Sequence, residues 1–218
     1  MIAKKIEELK KKIIEESQLV EEMLEKSIDG LLNKDALKLE EVFTIERKVN
    51  KKELDIDEMC TGIIALHQPE AKNLRTILMI LKMNNDLERM GDLVVNIAEC
   101  SQYLIRKPFI KKLVNIPVMM EETKKMLADS IKAFINGDII LAKNVCLNDD
   151  VVDDLKDQQY RLLMTYMIDD STTIKRAILL DKISSYLERI ADLSTNIAEE
   201  TVFMTKGTVI KHHSLEED

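Results

Sequence analysis

Two glutamate–aspartate pairs carry the clearest chemistry in this chain. Glu88 and Asp92 stand four residues apart in LERMGDLVVNIAE (87–99). Glu188 and Asp192 repeat them in LERIADLSTNIAE (187–199), with nine of the thirteen letters identical. At 100° per residue, Glu88, Asp92, Asn96 and Glu99 share a helical arc of about 80°, with Met90, Leu93, Val94 and Ile97 on the opposite side. Glu188, Asp192, Asn196 and Glu199 repeat the arrangement. Carboxylates spaced i,i+4 repel one another by roughly a few tenths of a kcal/mol. Arg89 and Arg189 lie about 100° away, too far round to neutralise the stripe.

A second set of acids precedes each pair. Glu46, Asn50, Glu53 and Asp57 fall on one helical face at i, i+4, i+7 and i+11; Asp149, Asp153 and Asp157 do so at i, i+4 and i+8. Folding the chain back near residue 69 sets Glu46 opposite Asp92 and Asn50 opposite Glu88. Folding it near residue 170 sets Asp149 beside Asp192 and Asp153 beside Glu188. Two readings follow: a hydrated acidic surface, or an oxygen-rich site for a hard divalent or trivalent cation, Mg²⁺, Mn²⁺, Ca²⁺ or oxidised iron. Register across two helices and repetition in both halves favour the cation. Zinc is disfavoured because neither constellation contains His or Cys. No Glu-x-x-His di-iron motif, phosphate-cradling loop, GxSxG or Cys–His pair appears, so no catalytic residues are expected.

The elements that must position these acids are all helical. The 218 residues hold 45% hydrophobic and 33% charged residues, five Gly, three Pro and no Trp, a composition too poor in turn formers and aromatics for a β protein. Breaks in an otherwise continuous helical pattern predict six helices: Ile2 to Leu32, residue 35 to Leu66, Pro69 to Ile105, Pro117 to Ile135, Ile139 to Ile168, and from the turn at 169–173 to a stop at Gly207. Pro69 is expected in the first turn of its helix. The segment RKPFIKKLVNIP holds two of the three prolines and reads as a linker. The fold class is therefore all-α: two tandem three-helix bundles over 1–107 and 108–218, each up-down-up with short connections.

Charge and hydropathy narrow the setting. A net charge of −8 disfavours nucleic acid and anionic lipid. No apolar run has the length of a membrane span, and MIAKKIEELKKK is too charged for a signal peptide, so a cytoplasmic protein, at most peripheral to the membrane, is expected. Cys60, Cys100 and Cys146 lack CxxC spacing and read as reduced thiols. His67, beside a turn, and His212-His213, in the tail, read as surface or capping residues.

At the two LER-[IM]-x-D…NIAE segments and at NDDVVDDL (148–155) the sequence resembles the PhoU family of phosphate-uptake regulators. The likeness extends to EELKKKIIEESQLVEEMLEKSIDGLL near the start and to TKGTVIKHHSLEED at the end. It implies two homologous bundles and, in several members, metal clusters held by acid-x-x-x-acid motifs. Those motifs fall on Glu88/Asp92, Glu188/Asp192 and Asp149/Asp153, with an altered fourth at Glu46/Asn50. Because Asn50 supplies an oxygen but no charge, the second half is expected to be the better site. A histidine common after the motif's aspartate is Leu93 and Leu193 here, and the common glycine is Gly91 but Ala191. The resemblance also implies a non-enzymatic cytoplasmic adaptor, a negative regulator linking phosphate ABC transporter components to a sensor histidine kinase. Its alternatives are an accessory subunit of an ion-driven phosphate permease and a metal-storage or redox protein. Self-association into a homo-oligomer, a dimer, is expected of the exposed bundle faces.

Overall fold

The computed structural model describes residues 2–111, 113 and 115–206. The expected stop at Gly207, His212-His213 and most of the closing family-like segment lie outside the described residues. Six α-helices follow one another: α1 (Ile2–Asn33), α2 (Ala36–His67), α3 (Ala71–Leu104), α4 (Asn115–Asn136), α5 (Ile139–Asp169) and α6 (Ile174–Lys206), with one 3-10 turn at Ser171–Thr173 before α6. No strand occurs among the described residues.

Both bundles are built by the same local chemistry. Lys34 closes α1 in the left-handed region (φ 54°), and Gly137 closes α4 there (φ 64°). The amide of the next residue then reaches back to a helix carbonyl, Asp35 N–H to Gly30 O and Asp138 N–H to Ala133 O, each 2.9 Å. Asp35 and Asp138 turn at once into N-caps, accepting from Leu37 and Lys38 and from Leu141 respectively. A left-handed lysine costs about 1 kcal/mol more than glycine, and Lys34 is otherwise engaged. Its Nζ donates to Lys107 O at 2.8 Å and lies 4.6 Å from the Phe109 ring centroid, holding the inter-bundle linker. Arg176 grips the same linker through Pro108 O at 2.8 Å.

Two helix starts differ from expectation. Gln68 ends α2 in the left-handed region (φ 40°) and Glu70 is the N-cap of α3, so Pro69 is spent in the turn rather than in the first helical turn. A proline disfavours right-handed helix in the residue before it, which suits Gln68 as the closing residue. Pro117 lies inside the first turn of α4, which begins at Asn115, where its missing N–H leaves no helical bond unmade.

Helices α1, α2 and α3 pack mutually, as do α4, α5 and α6; α3 packs on α6 and α1 on α4 between the halves. A single apolar core runs through both bundles, from Leu9, Ile13 and Leu24 in the first to Phe134, Leu187 and Ile190 in the second. Burying the opposite faces of α3 and α6 turns their acid stripes outward, toward α2, α5 and each other.

Candidate metal centre

In the second bundle all four sequence-chosen acids come together. Asp149 on α5 interacts with Asp192 and Glu188 on α6 and with Asp153 one turn along its own helix. Burial and then these like charges push the Asp149 carboxyl up to about 7, and its Oδ1 is buried without a hydrogen-bond partner. Asp153 and Asp192 are held above the usual carboxylate range, by burial first and by Glu188 next. The arrangement contains one cation that spacing along α6 does not reveal. Lys156, one turn beyond Asp153 on α5, donates to Glu188 Oε1 at 2.8 Å.

In the first bundle Glu88 on α3 is raised by burial, then by Asp92, and then by Glu53 and Glu46 across from it on α2. Asn50 turns its amide onto Glu46, Nδ2 to Oε1 at 2.5 Å, instead of presenting a fourth acid. Glu53 belongs to the group through its nearness to Glu88. A further member comes from α1: Glu16 is fully buried, neither carboxyl oxygen has a hydrogen-bond partner, and it faces Glu53 and Glu88. Burial chiefly, then Glu53, pushes its carboxyl up to about 8. Nothing in the stripe arithmetic of α2 and α3 points to it, because its signal is tertiary.

All eight sequence-chosen side chains thus lie on two facing seams, α2/α3 and α5/α6. As they stand, no three His, Cys, Asp or Glu side chains among the described residues form a ready ligating group. The donor set, all oxygen and largely carboxylate, fits a hard cation, and the orphaned Asp149 Oδ1 is an acceptor that such an ion would satisfy.

The two seams also border a common cleft. Arg89, Asp92, Leu93 and Asn96 of α3 and the matching Arg189, Asp192, Leu193 and Asn196 of α6 line a cavity of about 380 Å³. Above it, Lys82 of α3 bonds Glu200 of α6 at 2.7 Å. Between them, burial raises Asp86 to about 6, partly offset by Arg89 at 3.7 Å.

These features define a class: a helical protein of two duplicated three-helix bundles, each bearing a carboxylate seam on its second and third helices. The PhoU domain matches this sequence twice, over residues 13–101 and 116–201, and the chain belongs to the PhoU family. It is 41% identical, over 98% of its length and 97% of the relative's, to the phosphate-specific transport system accessory protein PhoU homolog of Aquifex aeolicus. It is 31% identical to the PhoU homolog 2 of Thermotoga maritima, covering 97% of this chain and 90% of that one. Among solved structures, PhoU from Pseudomonas aeruginosa superposes with a TM-score of 0.91 at 30% identity, covering 95% of this chain and 100% of the other. The phosphate transport system regulatory protein PhoU from Streptococcus pneumoniae superposes at 0.88 and 25%, covering 97% and 100%.

Proposed function

We propose that this PhoU-family chain is a non-enzymatic, cytoplasmic regulator of phosphate uptake that carries hard cations on its α2/α3 and α5/α6 seams. Its role is to repress the phosphate regulon by coupling the ATP-driven phosphate transporter to a sensor histidine kinase. Support for the transport role is the near full-length likeness to relatives named as phosphate-specific transport system accessory proteins. The fold agrees with an adaptor, since no described helix is long and apolar enough to cross a membrane.

The observation that carries the cation reading is the Asp149–Asp153–Glu188–Asp192 cluster, four acids on two helices with a buried, unpartnered carboxylate oxygen among them. In the second bundle these four would hold the ion; in the first, Glu46, Glu88 and Asp92 with the Asn50 oxygen. The ion would supply positive charge that ties α2 to α3 and α5 to α6. Lys156 supplies a fraction of that charge from the protein itself.

The test compares bound metal and thermal stability of wild type and Glu188→Gln/Asp192→Asn, purified without chelator. The wild type is expected to hold metal that stabilises it, and the double variant to hold less and to gain less from it. Equal metal content and equal metal-dependent stabilisation in both would refute the site. For signalling, deletion of the gene is expected to raise phosphate-regulon expression in high phosphate; unchanged expression would remove the adaptor role.

A further inference from the structure

The two bundles can be laid over one another residue by residue, and the places where they disagree are informative. Lys34 and Gly137 mark matched turns, and Ser27 and Ser130 are matched buried serines, each bonding the carbonyl three residues back at 2.8 Å. Counting back along uninterrupted helix, Glu16 of α1 corresponds to Met119 of α4, and both are fully buried. Counting forward from Glu46 and Asp149, Glu53 corresponds to Lys156.

The second bundle is satisfied at these positions. Met119 is apolar, Lys156 neutralises Glu188, and Ser184 bonds Leu180 O at 3.0 Å. The first bundle is not. Glu16 has two unpartnered carboxyl oxygens. Asn84, which matches Ser184, gives its Nδ2 to Glu53 O at 3.0 Å and leaves its Oδ1 buried without a donor. The nearby Lys52 is engaged at the surface with Glu15 at 2.5 Å. Buried acceptors from two helices therefore lack a hydrogen-donating partner beside the acids Glu53 and Glu88, and the charge of Lys52 offsets the burial of Glu16 only in part. Packing does not demand a carboxyl at residue 16, since methionine fills the same place in α4. A buried charge with no partner is among the most destabilising features a core can hold.

We propose that Glu16 is a carboxylate ligand of the first bundle's cation site, so that this site takes oxygen from α1, with Glu53 of α2 and Glu88 of α3, while the second draws on two helices only. The inference rests on the cation reading above and adds to its first site two residues outside the acid-x-x-x-acid motifs, Glu16 and Glu53. A hard divalent ion such as Mn²⁺ suits an all-oxygen set. It would supply the first bundle with what Lys156 supplies in the second.

The experiment titrates Mn²⁺ into the full chain after chelator stripping and dialysis, following free Mn²⁺ by electron paramagnetic resonance. Glu188→Gln/Asp192→Asn removes the second site and isolates the first. In that background the first bundle is expected to keep binding, and Glu16→Met, which installs the second bundle's residue, is expected to weaken it at least about tenfold. Glu16→Gln keeps the volume and one oxygen, is expected to weaken it less, and decides the matter should the methionine variant fail to fold. Residual binding unchanged by both would overturn the proposal and leave Glu16 as a buried neutral acid. Loss of all binding in the Glu188→Gln/Asp192→Asn background would overturn it too, while the second-bundle site stood. A wild type that takes up no Mn²⁺ would overturn both readings together.

Discussion

Replacing Glu16 by glutamine should stabilise the metal-free protein, and by an amount that depends on pH. The carboxyl is pushed from 4.5 to about 8, chiefly by burial and next by Glu53. A carboxyl raised on folding keeps its proton in the folded chain after the unfolded chain has lost it. Its contribution to stability is therefore full below pH 4.5 and is lost progressively up to about pH 8, flat thereafter. At about 1.4 kcal/mol per pH unit, the loss between pH 4.5 and 7.5 approaches about 4 kcal/mol. Local relaxation around the charge reduces this to roughly 2 to 4 kcal/mol. Glutamine has the same shape and no proton to lose, so it escapes the penalty. For a chain of this length, roughly 2 to 4 °C accompany each kcal/mol, so Glu16→Gln should unfold about 4 to 16 °C above wild type at pH 8. At pH 5 the two should nearly coincide. The assay is thermal unfolding in chelator at pH 5, 6, 7 and 8. A difference that does not grow with pH, or a variant less stable at pH 8, would show that Glu16 is not the buried, unpartnered acid described.

Three further outcomes follow from other positions. A β-carbon on Gly30 would lie 2.7 Å from Leu39 Cδ2 and 3.1 Å from Asp35 O, so Gly30→Ala should lower stability by about 1 to 3 kcal/mol in a urea titration. Gly91 has only ordinary contact at 3.6 Å with Val49 Cγ1, so Gly91→Ala, which copies Ala191, should leave stability unchanged or raise it by about 0.5 to 1 kcal/mol. Lys156→Gln removes the protein's own cation from Glu188, so it should lower metal-free stability and tighten Mn²⁺ binding in the second bundle, measured by calorimetric titration; looser binding would show the lysine assisting the ion instead of competing with it.

Much of this fold was legible because α-helices announce themselves through spacing. Glu46, Glu53, Glu88 and Asp92, and Asp149, Asp153, Glu188 and Asp192, could be placed on two faces per bundle from the 3.6-residue period alone. The short turns then set those faces against each other. Pro69 was legible as a breaker but not as to which side of the boundary it falls, because a proline fits both a turn and a first helical turn. Glu16 was hidden in KKKIIEESQLVEEML, where acids and lysines alternate with apolar residues and exposed Glu15 adjoins it. Only the approach of α2 and α3 shows that one of those two neighbours is in the core. Lys156 was hidden for the opposite reason: on α5 it reads as one more exposed charge, and its partner belongs to α6.

Joining the two bundles in one polypeptide has a consequence that the matched turns and matched serines make visible. A pair of identical bundles from separate chains must carry the same residue on both sides of its axis, and any change in one is a change in both. A fused pair is free of that rule. Glutamate can face the interior of one copy where methionine faces it in the other, and an acid can be answered by a lysine across the repeat. Each copy still keeps its place against the shared α3–α6 cleft. Duplication within one chain thus turns a symmetric scaffold into two positions that selection can tune separately, one keeping a buried acid without a hydrogen-bond donor and the other setting a lysine against its acids.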